Sequence, residues 1–340
     1  MSGRVLVTGG AGFIGSHLVD ALLARGEDVT VLDDLSTGTL DNLENARAAG
    51  ALRVIEGSIL DEAALRSAME GCDRVFHLAV QCVRRSIGNP MESHEVNATG
   101  TLRTLEAARQ AGVSRFVYCS SSEVYGNTST GLLSEAETVC RPVTVYGGAK
   151  LAGEHYAAAY RETYGLDTTV VRPFNAYGPR APHRGERAEV IPRFLIRALS
   201  GHAPVIFGDG SNGRDFTYVT DIAAGLVMAG YSDRTIGRTV NIAFGKMITV
   251  AQIADAILRR VGRNDLSVAH AGERPGDVYQ LNADTRLAEA LMGYRASIGF
   301  DDGLDRTIAW FRQRFPDPAA LMEERVENWT VPTRAEAGRR

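Results

Sequence analysis

The apolar run Val5-Leu6-Val7 ends in Thr8-Gly9-Gly10-Ala11-Gly12-Phe13-Ile14-Gly15 and opens at once into a helical pattern. No other segment restricts the fold so strongly. A strand that stops in closely spaced glycines and turns directly into a helix is suited to a nucleotide phosphate. The glycines admit a pyrophosphate close to backbone N–H groups, and the helix N-terminus adds partial positive charge. Gly9, Gly12 and Gly15 follow a GxxGxxG spacing rather than GxGxxG. A second strand pattern, Asp28-Val29-Thr30-Val31-Leu32, ends at Asp33-Asp34, close to the offset of ~20 residues at which an acid meets the adenosine ribose. An acid there accepts hydrogen bonds from the 2′-hydroxyl and repels a 2′-phosphate. The pattern predicts NAD rather than NADP.

Strand-like and helix-like segments continue to alternate. Strands are expected at 5–8, 29–32, 52–56, 74–79, 115–120 and 168–172, with helices at 14–25, 62–70, 92–111 and 145–164. Such β-α alternation implies a Rossmann-type α/β fold, a doubly wound parallel sheet with right-handed crossovers. The rhythm changes after Arg172, where 173–185 is rich in Pro, Gly and Arg and suits a loop framing a ligand. A helix at 191–200, a Gly/Asp/Asn turn at 208–213 and a strand at 215–219 follow. Short mixed elements fill the last third. The expected division is an NAD-binding domain over 1–173, a smaller mixed α/β substrate lobe mainly over 174–330, and a loose tail over 331–340. Later segments are expected to revisit the sheet.

Composition excludes several classes. The 37 basic and 41 acidic residues leave a net charge of −4, and no basic block precedes the final residues, so nucleic acid is not an expected partner. The four cysteines, Cys72, Cys82, Cys119 and Cys140, form no C-x-x-C pair and no cluster with histidine. No metal site is expected, and a reducing compartment is. Nothing approaches 18 uninterrupted apolar residues, and no signal-peptide pattern opens the chain, so no membrane association and a cytoplasmic location are expected.

Tyr146 and Lys150 are four residues apart at the head of a helical stretch, so they share one face. They follow Ser120-Ser121-Ser122-Glu123 at the end of an expected strand. In open α/β sheets, ligands bind outside the carboxyl ends of the strands. With Phe76-His77-Leu78-Ala79, Arg172-Pro173-Phe174-Asn175, Arg214-Asp215-Phe216-Thr217-Tyr218-Val219 and Arg274-Pro275-Gly276-Asp277, these motifs make the chain resemble the extended short-chain dehydrogenases/reductases. Specifically, it resembles their nucleotide-sugar epimerase and dehydratase family, over roughly residues 3–310.

The resemblance implies roles for individual residues. Tyr146 would take the sugar 4-hydroxyl proton as hydride leaves C4 for NAD. A free tyrosine, with a pKa of ~10, is a poor base at neutral pH. The positive charges of Lys150 and oxidised nicotinamide would favour tyrosinate. Ser121 would bind the same hydroxyl. Around NAD the resemblance places Gly9, Gly12, Phe13, Ile14, Gly15, Asp33, Ser58, Ile59, Leu78, Ala79, Asn97, Ser120 and Pro173, together with Tyr146 and Lys150. Around the substrate it places Ser121, Ser122, Asn175, Arg214, Arg274 and Asp277, with the arginines on the diphosphate. One departure lies in Gly57-Ser58-Ile59, where the family carries an aspartate for adenine. Ser58 can still accept a hydrogen bond.

The reaction itself stays divided at this point. A 4-epimerase rotates the 4-keto intermediate and returns the hydride, needing no further acid or base. A 4,6-dehydratase must also remove the C5 proton, using a Thr-Asp-Glu triplet where this chain has Ser121-Ser122-Glu123. UDP-glucuronate decarboxylases carry Thr-Ser-Glu there. Glu123 favours C5 chemistry. Ser122 in place of the aspartate, the epimerase-like segments at 84–90 and 273–278, and the missing Arg-Arg-Lys-Pro segment of decarboxylases favour a 4-epimerase. The preferred expectation is a 4-epimerase acting on a UDP-sugar, with a dehydratase or decarboxylase as the alternative and a non-catalytic NAD-binding scaffold as a distant one. His77 is expected to be a packed strand residue, and His183 solvated. Arg180, Arg184 and Arg187 are expected in a solvated loop, and family members suggest a homodimer.

Overall fold

The computed structural model describes residues 4–49, 51–128 and 131–331. Strands β1 (Arg4–Thr8), β2 (Asp28–Asp33), β3 (Leu52–Glu56), β4 (Cys72–His77), β5 (Arg115–Cys119) and β6 (Asp167–Pro173) alternate with helices. Shorter strands follow: β7 (Asn175–Tyr177), β8 (Val205–Phe207), β9 (Gly213–Tyr218) and β10 (Thr239–Ile242). Then come β11 (Met247–Thr249), β12 (Ala269–Ala271) and β13 (Gln280–Leu281). Seven strands form one parallel sheet in the order β10-β6-β5-β4-β1-β2-β3. The Rossmann-type, doubly wound expectation is met.

Parallel strands covered on both faces read as unbroken apolar runs, because each face needs its own packed layer. Val5 and Val7 enter the core with Leu18, Val31, Phe76, Val117 and Leu226. Leu6 points the other way, joining Leu65, Leu105, Phe116 and Tyr118. Winding reverses between β1 and β4, so the crossover helices diverge there and leave a crevice at the carboxyl ends of these strands. Helix Phe13–Ala24 starts at that crevice, as does the segment after β4.

The expected helix over 92–111 is broken into three. Pro90–His94 and Gly100–Gln110 are α-helical, and Glu95–Thr99 between them is a π turn. The Asn97 amide explains the break, since it reaches across to Gln81, accepting from its N–H at 2.8 Å and donating to its carbonyl at 3.0 Å. Single π turns of this kind concentrate at functional sites. The expected strand over 74–79 ends at His77, because the Leu78 and Ala79 N–H groups turn to the Thr8 hydroxyl, both at 3.2 Å.

The later chain contributes to two bodies of structure. Helix Val219–Tyr231 packs Ile222 and Leu226 against the main sheet, and β10 extends its edge beside β6. A second core joins Ile191, Phe194, Ile206, Ile257, Leu304 and Phe311. It is built by helices Val190–Leu199, Val250–Val261 and Phe300–Arg314 with β8 and β9. Apart from Val331, the expected tail lies outside the described residues. Among the described residues no helix is long and apolar enough to cross a membrane.

Candidate active site

One cleft runs from the β1–β4 crevice to the second core. At its cofactor end it is lined by Gly9, Gly12, Phe13, Ile14, Gly15, Asp33, Ile59, Leu78, Ala79 and Pro173, all expected there from the sequence. Gly9 has φ +70°, and a Cβ on it would lie 2.7 Å from the Ala79 nitrogen. A Cβ on Gly15 would overlap the Gly9 carbonyl oxygen. Side chains are thus excluded where a pyrophosphate must approach the backbone. Gly12 caps the helix with no side chain to occupy its first N–H groups. The Asp33 carboxylate accepts from the Ala11 N–H at 2.8 Å and the Leu35 N–H at 2.9 Å, each through a different oxygen. Both oxygens keep a lone pair for a ribose diol. Burial pushes this carboxyl's pKa up, and the two backbone bonds pull it back. The cradle fits a dinucleotide.

Three residues expected around the cofactor do other work. The Ser58 hydroxyl accepts from the Leu60 N–H at 3.2 Å, and Ser58 is not part of the cleft wall. Asn97 is also outside the wall, being committed to Gln81 and to Ser93 at 3.1 Å. It fixes the loop that carries Gln81, which lines the cleft. Ser120 does line the cleft, but its hydroxyl donates to Glu154 at 2.5 Å. Glu154 is held in turn by a bidentate Arg172, at 2.9 and 2.6 Å.

Helix Val145–Tyr164 presents Tyr146 and Lys150 to the middle of the cleft. Thr144 caps it by accepting from the Gly147 N–H at 3.1 Å. Gly153 lets the helix settle on β5, since a Cβ there would collide with the Tyr118 hydroxyl. Lys150 is 3% exposed, donates to the Cys119 carbonyl at 2.8 Å, and has its pKa pulled down to about 8 by burial. Tyr146 and Ser121 line the cleft together. Burial drives the Tyr146 pKa well above the free value, while the Ser121 side chain lowers it. The phenol is therefore protonated at neutral pH in the protein alone, and further positive charge in the cleft is needed to make it a base.

Ser121 also accepts from the Glu123 N–H at 3.2 Å, which turns Glu123 into the cleft beside Ser122. Burial raises the Glu123 pKa, and Arg214, Arg274 and Arg84 oppose the shift. Arg214 and Arg274 converge on one oxygen of Asp277, at 2.8 and 2.5 Å, and Asn212 donates to the other at 3.0 Å. Asp277 therefore organises two guanidinium groups, which with Asn175 line the same stretch of cleft. Planar guanidinium forks at this spacing suit a diphosphate.

Arg187 leaves the expected solvated loop to line the cleft, donating to the Ser36 carbonyl at 2.7 Å. Arg180 pairs with Asp20 at 2.7 Å, and Arg184 is exposed. His183 is not solvated as expected. It packs against Phe311 and Phe315, with ring centroids 6.4 and 4.6 Å away. His77 is a buried strand residue, bonded to Thr8 at 2.7 Å and Thr101 at 3.0 Å. Gln81, Arg193, Phe207, Asn328 and Trp329 also line the cleft, beyond the residues expected there. No spacing pattern singles them out. Among the described residues no group of three or more His, Cys, Asp or Glu can hold a metal.

Known proteins supply a comparison for this geometry. Residues 5–243 match the model of the NAD dependent epimerase/dehydratase family. A UDP-glucose 4-epimerase of Mycolicibacterium smegmatis is 38% identical over 314 residues, covering 92% of this chain and 99% of the relative. A dTDP-glucose 4,6-dehydratase of Streptomyces niveus is 35% identical over 318 residues, covering 91% of this chain and 93% of the relative. The structure of a Streptomyces venezuelae dTDP-glucose 4,6-dehydratase, solved with NAD bound, superposes with a TM-score of 0.87 at 34% identity. It covers 94% of this chain and 100% of that one. Sequence, fold and the glycine-lined cradle agree, and the chain belongs to the NAD-dependent epimerase/dehydratase family.

Proposed function

We propose that the chain is a nucleotide-diphosphate-sugar 4-epimerase whose substrate is a UDP-sugar. The observation that carries this reading is the acid–base inventory around Tyr146. Elimination of water from a 4-keto sugar needs a base at C5 and an acid for the departing 6-hydroxyl. Among the described residues, the cleft wall near Tyr146 offers one carboxyl, that of Glu123, with the Ser122 hydroxyl beside it and the thiols of Cys82 and Cys119, the latter with its pKa pushed up to about 11 by burial. The Asp277 carboxylate is held by Arg214 and Arg274, and that of Glu189 by Arg84 at 2.9 Å. Epimerisation at C4 needs one proton acceptor, and Tyr146 serves.

NAD, when bound, accepts hydride from C4 and returns it. The protein's residues do the rest. Ser121 orients the 4-hydroxyl against the Tyr146 oxygen, and Lys150 adds positive charge beneath the cofactor site. Arg214 and Arg274 hold the diphosphate, so the sugar can turn over between the two half-reactions while its anchor stays fixed. Glu123 favours the second reading, a 4,6-dehydratase, because burial keeps its carboxyl closer to a working base near neutral pH. We further propose a homodimer formed through helices Gly100–Gln110 and Val145–Tyr164, where Leu102 and Tyr164 are exposed. Light scattering at micromolar protein tests it, and a monomer mass would refute it.

The deciding experiment incubates the protein with UDP-glucose, UDP-glucuronate and dTDP-glucose in D₂O, separates substrate from product by chromatography and weighs each. A separable isobaric epimer without deuterium is expected. Loss of water with deuterium gained would replace this reading with the 4,6-dehydratase, and loss of CO₂ would mean decarboxylation.

A further inference from the structure

The C-terminal segment beyond helix Phe300–Arg314 does not trail away from the molecule. It lies well past residue 243, where the family match ends, yet it returns to line the cleft. Asn328 and Trp329 are each 7% exposed, and both line the cleft. The strap is pinned from two sides. Arg193, on helix Val190–Leu199, donates to the Asn328 side chain at 3.0 Å and also to the Val326 carbonyl. The Asn328 amide donates to the Ala188 carbonyl at 3.0 Å, and Arg325 donates to the Trp329 carbonyl at 2.9 Å. Across the cleft, Thr330 passes so close to Gly88 that a Cβ there would sit 3.1 Å from its carbonyl oxygen.

These contacts hold the Trp329 ring edge-on to Phe207 of β8, with centroids 4.5 Å apart. Both rings line the same cleft as Arg214 and Arg274. One cleft is thus lined by a dinucleotide cradle, by Tyr146, by paired guanidinium groups and by an aromatic corner. A ligand that carries both an anionic diphosphate and a planar, π-rich base matches that set of walls. We propose that Trp329, carried by the C-terminal strap, forms the stacking wall for the base of a nucleoside diphosphate. Arg193 is the positioning residue that holds the strap in place. This rests on the nucleotide-sugar reading above, and adds that affinity for the base is supplied from outside the matched family core.

The chain has two tryptophans, Trp310 and Trp329, which makes the test direct. Trp310→Phe leaves Trp329 as the sole indole. Holoenzyme of this variant is titrated with UDP, with dTDP and with inorganic pyrophosphate, following emission and, in parallel, heat. UDP or dTDP should quench or shift the emission as it binds, and pyrophosphate should bind without doing so. Separately, Trp329→Ala should weaken nucleotide binding about tenfold and leave pyrophosphate binding unchanged, since base–aromatic stacking is the contact removed. In the Trp310→Phe background, Arg193→Met should weaken the nucleotide and shift the Trp329 emission of the unliganded protein, the sign that the strap has moved. Nucleotide heat with silent emission would overturn the proposal, as would an emission change with pyrophosphate alone. Should the alanine variant not fold, the fluorescence titration decides by itself. If neither nucleotide binds the holoenzyme at all, the nucleotide-sugar reading falls and this proposal falls with it.

Discussion

Chemistry at the level of single residues turns on how burial shifts proton affinities in the cleft. Lys150 is drawn down to about 8 and is still mostly charged at neutral pH, whereas Tyr146 is pushed up and stays protonated by burial alone. Lys150 must be charged to favour tyrosinate, so activity should fall as pH rises past about 8. A pH–rate profile that stays flat to pH 10 would contradict this. Tyr146→Phe removes the proposed proton acceptor and should lower kcat by roughly 10²- to 10⁴-fold. NAD should remain bound, as nucleotide analysis of the denatured protein would reveal. Glu123→Gln separates the two reactions. An epimerase should keep kcat within a few-fold of the parent, whereas a dehydratase should lose most of its turnover.

At the level of elements, the helix carrying Tyr146 is fastened to the sheet by a buried ion pair. Glu154 and Arg172 are 7% and 6% exposed as side chains, and Ser120 completes the Glu154 oxygens. Removing one partner strands the other charge away from water, which costs far more than the pair itself contributes. Glu154→Ala should therefore lower stability by roughly 3–5 kcal/mol, read from the urea midpoint. The double replacement Glu154→Leu with Arg172→Met should recover much of that loss. A Glu154→Ala protein as stable as the parent would show that water or rearrangement satisfies Arg172. Ser120 shows why such ties are hard to foresee. Its place at a strand end was readable, but the direction of its hydroxyl depended on a helix 34 residues later.

Across the whole molecule, histidines withdrawn from water contribute to the acid limb of stability. His77 has its pKa lowered from 6.5 to about 3, and His17 from 6.5 to about 4, both mainly by burial. Below pH 6.5 the unfolded chain takes up protons that the folded chain refuses, so stability is lost as pH falls through that window. Asp215 acts in the opposite sense. Its pKa is raised to about 6, and between 3.8 and 6 the folded state holds the extra proton. Comparing variants isolates the histidine part. His77→Gln should lose less stability between pH 7 and pH 4.5 than the parent, measured by urea unfolding at each pH. Parallel slopes would mean that His77 is protonated in the folded state.

The sequence by itself determined whatever depends on short spacing. GxxGxxG after an apolar run specifies a strand, a turn and a helix N-terminus, because backbone geometry at those residues is local. The four-residue step from Tyr146 to Lys150 likewise puts both on one helix face. The alternation of strands and helices then settles a parallel sheet, whose winding reversal locates the cleft. Only the tertiary structure decided which polar groups face that cleft. Ser58 and Asn97 spend their side chains on neighbouring backbone, Asp277 gathers two arginines, and His183 is enclosed by aromatic rings. Trp329 lines the cleft on a strap that is bonded to Arg193, 136 positions earlier in the chain. Each outcome depends on which distant segments pack together, and burial makes unpaired polar groups too costly to leave without partners. No pattern of neighbouring residues encodes that choice.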